Sequence, residues 1–212
     1  KQPVYIELDT IFRQEEKNFI QLLNEVRNNC LSNESLQLLQ GRFQPDFTPT
    51  DDENWITLTT HNITADRING LELNQLDSPL KTFTARLEGD FPEKSYPIDM
   101  DLQLKVGARV MFIRNDMEQP RRFYNGKIGI IEDFQEKSIL VYCPEDDQYI
   151  DVVPVEWENI HYTTNSTTNQ IETHINGKFI QYPLRLAWAI TIHKSQGLTF
   201  ERAVIDAGRA FA

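Results

Sequence analysis

Twenty residues near the end of the chain, Ala187 to Asp206 (AWAITIHKSQGLTFERAVID), constrain the fold more than any others. An apolar run enters a polar knot, Thr191-Ile192-His193-Lys194-Ser195-Gln196-Gly197. A short turn then leads to Ala203-Val204-Ile205-Asp206, which reads as a buried parallel strand ending in an acid. His, Lys, Ser, Gln and Gly between two apolar runs make a poor core, because every buried polar group would need a partner. They are well suited to placing donors where phosphates or sugars lie. The plain alternative is a helix-turn-strand of an ordinary α/β domain whose polar residues cap the turn.

The chain has 212 residues, enough for one large or two small domains. Hydrophobic content of 40% and charged content of 25% are those of a globular protein. No apolar run approaches the length of a membrane span and no signal peptide opens the chain, so no membrane association is expected. Cys30 and Cys143 lie far apart in unlike contexts and suggest neither a disulfide framework nor a zinc site, which favours a reducing, cytoplasmic setting. The net charge of -11 argues by itself against nucleic-acid binding. The balance is local, however. Lys105, Arg109, Arg114, Arg121, Arg122 and Lys127 face only Asp116 and Glu118 in their stretch, while acids pool at 46–53, 99–101 and 145–151. Screening confines each patch to about 8 Å, so a basic groove can persist on an acidic protein.

Val4 to Leu8 reads as a short extended segment. Phe19, Leu22, Leu23 and Val26 recur at helical spacing, and a weaker helix starts near Ser32 with Leu36 and Leu39. Gln44 to Asn54 reads as a linker. Trp55 to Thr59 reads as a strand ending in Thr60-His61-Asn62, followed by a helix with Ala65, Ile68 and Leu71 inward. A strand that stops at small polar residues opening a helix is the α/β arrangement for meeting a ligand. Residues 80 to 101 read as extended and irregular. From Leu104 to Tyr182 the pattern changes to short strands: 107–113, 128–131, 139–142 and 150–155, with tight turns at Asn125-Gly126 and Asn176-Gly177. This predicts a small β-barrel inserted into an α/β domain.

The knot IHKSQGLTFE resembles motif V of superfamily I helicases of the RecD/Pif type. Phe12-Arg13-Gln14 is similar to the segment closing the first motor domain of that family. Ile56 to Asn62, with Ala65 and Ile68-Asn69, is similar to the first strand and helix of the second. Leu104 to Met111, Asn125-Gly126 and Gly129 are similar to its SH3-like insertion, and Pro183 to Ala189 leads back into the motor fold. The order holds over most of the chain, with 30–50 and 145–178 carrying little of it. The implied architecture is an α/β RecA-like motor domain with an inserted SH3-like small β-barrel, plus an N-terminal helical segment from the preceding motor domain. The implied divisions are 1–44 (end of the first RecA-like domain), 45–103 (second RecA-like domain), 104–182 (insertion) and 183–212 (second domain, continued).

The resemblance implies a helicase that couples ATP hydrolysis to movement on single-stranded DNA, in DNA repair and recombination, using ATP and Mg. The pattern G-x-x-x-x-G-K-[ST] is absent, since Gly126-Lys127 and Gly177-Lys178 lack the preceding glycine and the following hydroxyl. No apolar strand ends in an Asp-Glu pair. The chain is therefore expected to be a truncated piece of a monomeric parent, inactive alone and holding no cofactor tightly. By the same resemblance, Arg13 could offer its planar fork to a γ-phosphate, the one catalytic assignment, with Gln14, Gln196 and Gly197 also near nucleotide. Thr59, Thr60, His61, Asn62, His193 and Lys194 are the candidate DNA contacts. Each has a plainer reading: Arg13 as a surface residue at a helix start, Gln196-Gly197 as a simple turn, and one of residues 59–62 as a helix cap. Tyr124, Arg121 and Arg122 read as an ordinary hairpin rather than a wedge, and Trp55 and Trp188 as core. A non-catalytic nucleic-acid- or protein-binding β-barrel module is the rival reading; a nuclease has less support, for want of a carboxylate cluster with metal-site spacing.

Overall fold

The computed structural model describes residues 3–6, 14, 16–49, 55–164 and 170–208. The chain divides into two compact units, Lys1–Thr48 and Pro49–Ala212.

In the first unit, α1 (Lys17–Arg27) and α2 (Asn33–Arg42) form a helical pair. Ser32 caps α2 by accepting from the Ser35 amide, and it also donates its hydroxyl and amide to Glu25 on α1. A bond from Gln21, followed by those from Ser32, holds the Glu25 carboxyl down at about 2. The helical spacing is confirmed, but within this unit only Leu22 of the apolar stripe is buried, while Phe19, Leu23 and Val26 stay exposed. Val4, Tyr5 and Ile6 are exposed and form no strand, and Glu7 and Leu8 lie outside the described residues.

The second unit is mixed α/β. Its elements run β1 (Ile56–Thr59), α3 (Asn62–Gln75), β2 (Lys81–Thr84), β3 (Arg86–Gly89), a single turn at Glu93–Ser95, β4 (Asp101–Leu104), β5 (Arg109–Phe112), β6 (Ile128–Phe134), β7 (Ile139–Cys143), β8 (Gln148–Val152), β9 (Val155–Thr164), β10 (Ile171–Gln181), β11 (Leu184–Leu186), β12 (Ala189–Thr191), α4 (Ile192–Ser195) and β13 (Ala203–Asp206). A parallel sheet has the order β12-β1-β13, and an antiparallel one the order β11-β5-β6-β7-β8. β10 runs between β3 and β9, and β2 pairs with β4.

Strand β5 joins the two cores. All four of its residues are buried, and the two-residue period sends Val110 and Phe112 into the larger core and Met111 into the smaller one. The smaller core, with Ile56, Ala187 and Ile190, lies under the parallel sheet. In the larger core Phe112 stacks on Phe123, and Phe179 packs with Phe91, Tyr96 and Trp157.

Several expectations are corrected. The predicted barrel is an open sheet: among the described residues β8 and β11 are its unpaired edges, and β11 carries it past residue 182. The strand expected over 150–155 stops at Val152, because Pro154 cannot donate to a ladder. Asn176-Gly177 is no turn but an irregularity inside β10, where the pairing with β9 shifts register. Glycine is needed there because a Cβ would lie 2.4 Å from the Asp90 carbonyl oxygen. On α3 the buried face is Ala65, Asn69 and Leu73, a four-residue step, leaving Leu71 half exposed. Strand β13 is parallel as expected but not buried: among the described residues it is an edge, and Ile205 is 68% exposed.

Candidate nucleic-acid and nucleotide interface

The parallel pairing sets the geometry. β1 and β12 run side by side with Thr57 opposite Ala189, Leu58 opposite Ile190 and Thr59 opposite Thr191. Both strands therefore end at one level. Thr60-His61-Asn62 leaves β1 and Ile192-His193-Lys194 leaves β12 next to each other, each starting a helix. Asp206, at the end of β13, reaches the same level opposite Thr59.

Each predicted residue can be placed on this edge. Thr59 is buried, and its hydroxyl donates to the His61 carbonyl 3.0 Å away, tightening the turn into α3. The Thr60 hydroxyl lies 2.8 Å from His61 Nδ1, so the two polar groups are held as a pair. His61 occupies the N-cap position of α3 without a capping side-chain bond. Asn62, in the first turn of α3, shares a cleft of about 450 Å³ with Lys194. His193 is exposed and does not line that cleft. α4 is a single turn in which the Ser195 hydroxyl donates to the Ile192 carbonyl, and the Leu198 amide closes the exit by donating to the Ser195 carbonyl. Gln196 and Gly197 are exposed in that exit. Gly197 has φ +81°, a conformation that side chains rarely adopt, with nothing within 4 Å of where a Cβ would stand. In the first unit, Arg13 lies outside the described residues, and the side-chain carbonyl of Gln14 accepts from the Glu16 amide at 3.5 Å.

The basic stretch at 105–127 does not form the free groove that its composition suggests. Lys127 is 3% exposed and donates to Asp146 at 2.6 Å. Arg122 holds Asp116 at 2.7 Å and Glu118 at 3.2 Å. Burial pushes the Asp116 carboxyl up, but its bonds from Arg122 and from the Glu118 amide outweigh this and leave it below its ordinary range. Lys105 donates to the Leu76 carbonyl, Arg114 to that of Glu156, and Arg109 is buried. Tyr124 donates to Glu145.

Three residues escaped the sequence reading. Asn69 is 7% exposed and bonds both backbone groups of Ala189: its amide donates to the carbonyl at 2.8 Å and its oxygen accepts from the N–H at 2.9 Å. It thereby closes the outer edge of β12 and fixes α3 to the strand that delivers Lys194. Arg185, on β11, lines the cleft with Lys194 and donates to the Pro97 carbonyl at 3.2 Å. Asp99 lines it too. The available signal for Arg185 was a lone cation between Leu184 and Leu186, because a charge in an apolar strand must find a partner or face a functional surface. Desolvation lowers the Lys194 ammonium from its usual range, and the like charge of Arg185 lowers it further. Among the described residues no group of three or more His, Cys, Asp or Glu is placed to hold a metal ion.

A parallel sheet whose polar loops and helix starts gather at the carboxyl ends of its strands is of the α/β class that meets its ligands at that edge. No family model matches the chain. The human ATP-dependent DNA helicase PIF1 is 32% identical to it over 219 residues, covering 99% of this chain and 32% of that protein. Among solved structures, Pif1 from Bacteroides sp. in complex with ADP-AlF4 is 35% identical with a TM-score of 0.84, over 96% of this chain and 46% of that one. Bacteroides Pif1 bound to single-stranded DNA is also 35% identical, with a TM-score of 0.68, over 97% of this chain and 46% of that one. Its homologues are Pif1 superfamily I DNA helicases, which it matches along nearly its whole length. It spans about a third to a half of the length of the curated relatives it matches.

Proposed function

We infer that the chain is the C-terminal motor region of an ATP-dependent DNA helicase that translocates on single-stranded DNA and unwinds duplex. The observation that carries this reading is the register of Thr59 with Thr191, which brings the 60–62 and 192–194 loops to one edge of a parallel sheet. The likeness to Pif1 helicases, including one bound to single-stranded DNA, supports it. In this reading Lys194 supplies charge to a backbone phosphate. His193, Thr60, His61 and Asn62 supply stacking or hydrogen bonds. Thr59 acts by holding the turn that presents them.

Arg13 and Gln14 in the first unit, and Gln196 and Gly197 in the second, are assigned to the nucleotide, with ATP and Mg as the cofactors of the whole protein. A planar guanidinium at Arg13 suits the charge that spreads over a transferring phosphoryl group. Residues 1–44 are the end of a first RecA-like domain, 45–103 and 183–212 belong to a second, and 104–182 are its SH3-like insertion. The protein works as a monomer in the cytoplasm. No helix among the described residues is long and apolar enough to cross a membrane, and both cysteines are free thiols.

The test is ATP hydrolysis with and without single-stranded DNA. The full-length protein is expected to hydrolyse ATP in a DNA-stimulated manner, and the 212-residue chain alone is expected to show none. Robust DNA-stimulated hydrolysis by the isolated chain would contradict the reading. A full-length protein that binds DNA without ATP turnover would point instead to the non-catalytic binding module.

A further inference from the structure

The cleft beside Lys194 has a charge arrangement that DNA contact by Lys194 alone does not explain. Its cations are Lys194 and Arg185, and its acids are Asp66 on α3 with Asp99 and Asp101 from the 98–103 segment. The ion pairs among the described residues all involve other cations, so neither Arg185 nor Lys194 is neutralised by a carboxylate in contact with it. Arg185 is half-buried and gives one nitrogen to the neutral Pro97 carbonyl. A guanidinium has five N–H donors in a planar fork, so most of its capacity remains. A second opening, whose lining adds Glu93, shares Ile98, Asp99, Arg185 and Lys194 with the first. The two cations thus stand where two openings meet, a place that suits a polymer running from one into the other.

We propose that Arg185 and Lys194 together form a phosphodiester subsite in this cleft, in which Arg185 is a second contact to the backbone of the single strand. This rests on the reading of the chain as a DNA-translocating motor region. The chemistry favours an anion. Burial and then the like charge of Arg185 lower the Lys194 ammonium, and burial lowers the Arg185 guanidinium, with Asp99 and Asp66 acting the other way on both; a phosphate held by the two cations favours their charged forms. A metal ion is disfavoured, because among the described residues no group of three or more His, Cys, Asp or Glu is placed to hold one. Asp66, Asp99 and Asp101 oppose the phosphate without contacting the cations, which keeps the contact weak enough to be released as a strand advances.

The test uses the full-length protein and a short fluorescent oligothymidylate, with anisotropy followed across a salt series. Arg185→Gln is expected to flatten the slope of log K against log salt by roughly 0.7, the share of one single-strand phosphate contact, while Arg185→Lys keeps the slope. Asp99→Asn is expected to tighten binding, since it removes an opposing charge. If Arg185 only clips the 97–99 wall, Arg185→Gln will lower the unfolding midpoint and weaken binding equally at every salt concentration with an unchanged slope, and the proposal is overturned. Should Arg185→Gln fail to fold, Asp99→Asn decides: unchanged or weakened binding overturns the subsite. A slope that responds to Lys194→Ala but not to Arg185→Gln sinks this proposal alone. A wild-type protein with no salt-dependent binding sinks the DNA reading and the subsite with it.

Discussion

Replacing Asn69 with leucine isolates the device that holds the candidate interface in place. Asn69 spans both backbone groups of Ala189 from a buried position, and Leu has the same branched arrangement of four side-chain heavy atoms, bulkier and without polar atoms. Two hydrogen bonds of about 1 kcal/mol each are lost, and a buried N–H and C=O are left without them, so Asn69→Leu should cost about 2–4 kcal/mol. With a urea dependence of roughly 1–3 kcal/mol per molar, the unfolding midpoint should fall by about 1 M or more. Leu71→Ala on the exposed side of the same helix is the control, and it should stay within about 0.5 kcal/mol. Urea unfolding of the chain, followed by the fluorescence of Trp55, Trp157 and Trp188, reads both changes. An Asn69→Leu cost below about 0.5 kcal/mol, or a larger cost at Leu71, would refute the assignment of Asn69 as the clamp on β12.

Three further outcomes are expected. In the full-length protein, Arg13→Ala should abolish ATP turnover and leave single-stranded DNA affinity nearly unchanged; loss of DNA binding with hydrolysis intact would remove Arg13 from the nucleotide. Asp116→Asn should destabilise the chain by about 1 kcal/mol, since its charge-assisted bonds are strong but Arg122 remains 36% exposed. The Asp116 carboxyl ionises more readily folded than unfolded, so its contribution is complete above the ordinary value of 3.8 and is lost as pH falls through the lower folded value. Acid unfolding of wild type and Asp116→Asn should therefore converge at low pH, and a gap that widens there would contradict the assignment.

The parts of the fold that local pattern determines were legible in the sequence. The turn from β1 into α3, the helices of the first unit, and the descent from Ala187 through the polar knot into β13 all follow from periodicity and from polar residues at strand ends. Properties that depend on neighbours were not. Nothing local distinguishes the Asn176-Gly177 of a bulge from that of a hairpin, because the cause is the Asp90 backbone, far away in sequence. The basic stretch at 105–127 looked like a surface because composition does not show that Asp146 and Leu76 consume its lysines. An inward Asn69 defeats a hydrophobic count, which chose Leu71 instead. At the candidate site local pattern marks the residues at the strand ends as candidates, while Arg185 is hidden in an apolar strand whose cleft is assembled only by the tertiary fold.

In the proposed function, the edge where β1 and β12 end together holds single-stranded DNA through Lys194. The most direct measurement is the salt dependence of oligothymidylate binding by the full-length protein and by its Lys194→Ala variant. The variant should bind more weakly and lose roughly 0.7 from the slope of log K against log salt, as expected for one phosphate contact removed. If affinity and slope are both unchanged, the polar knot is only a turn and the interface lies elsewhere.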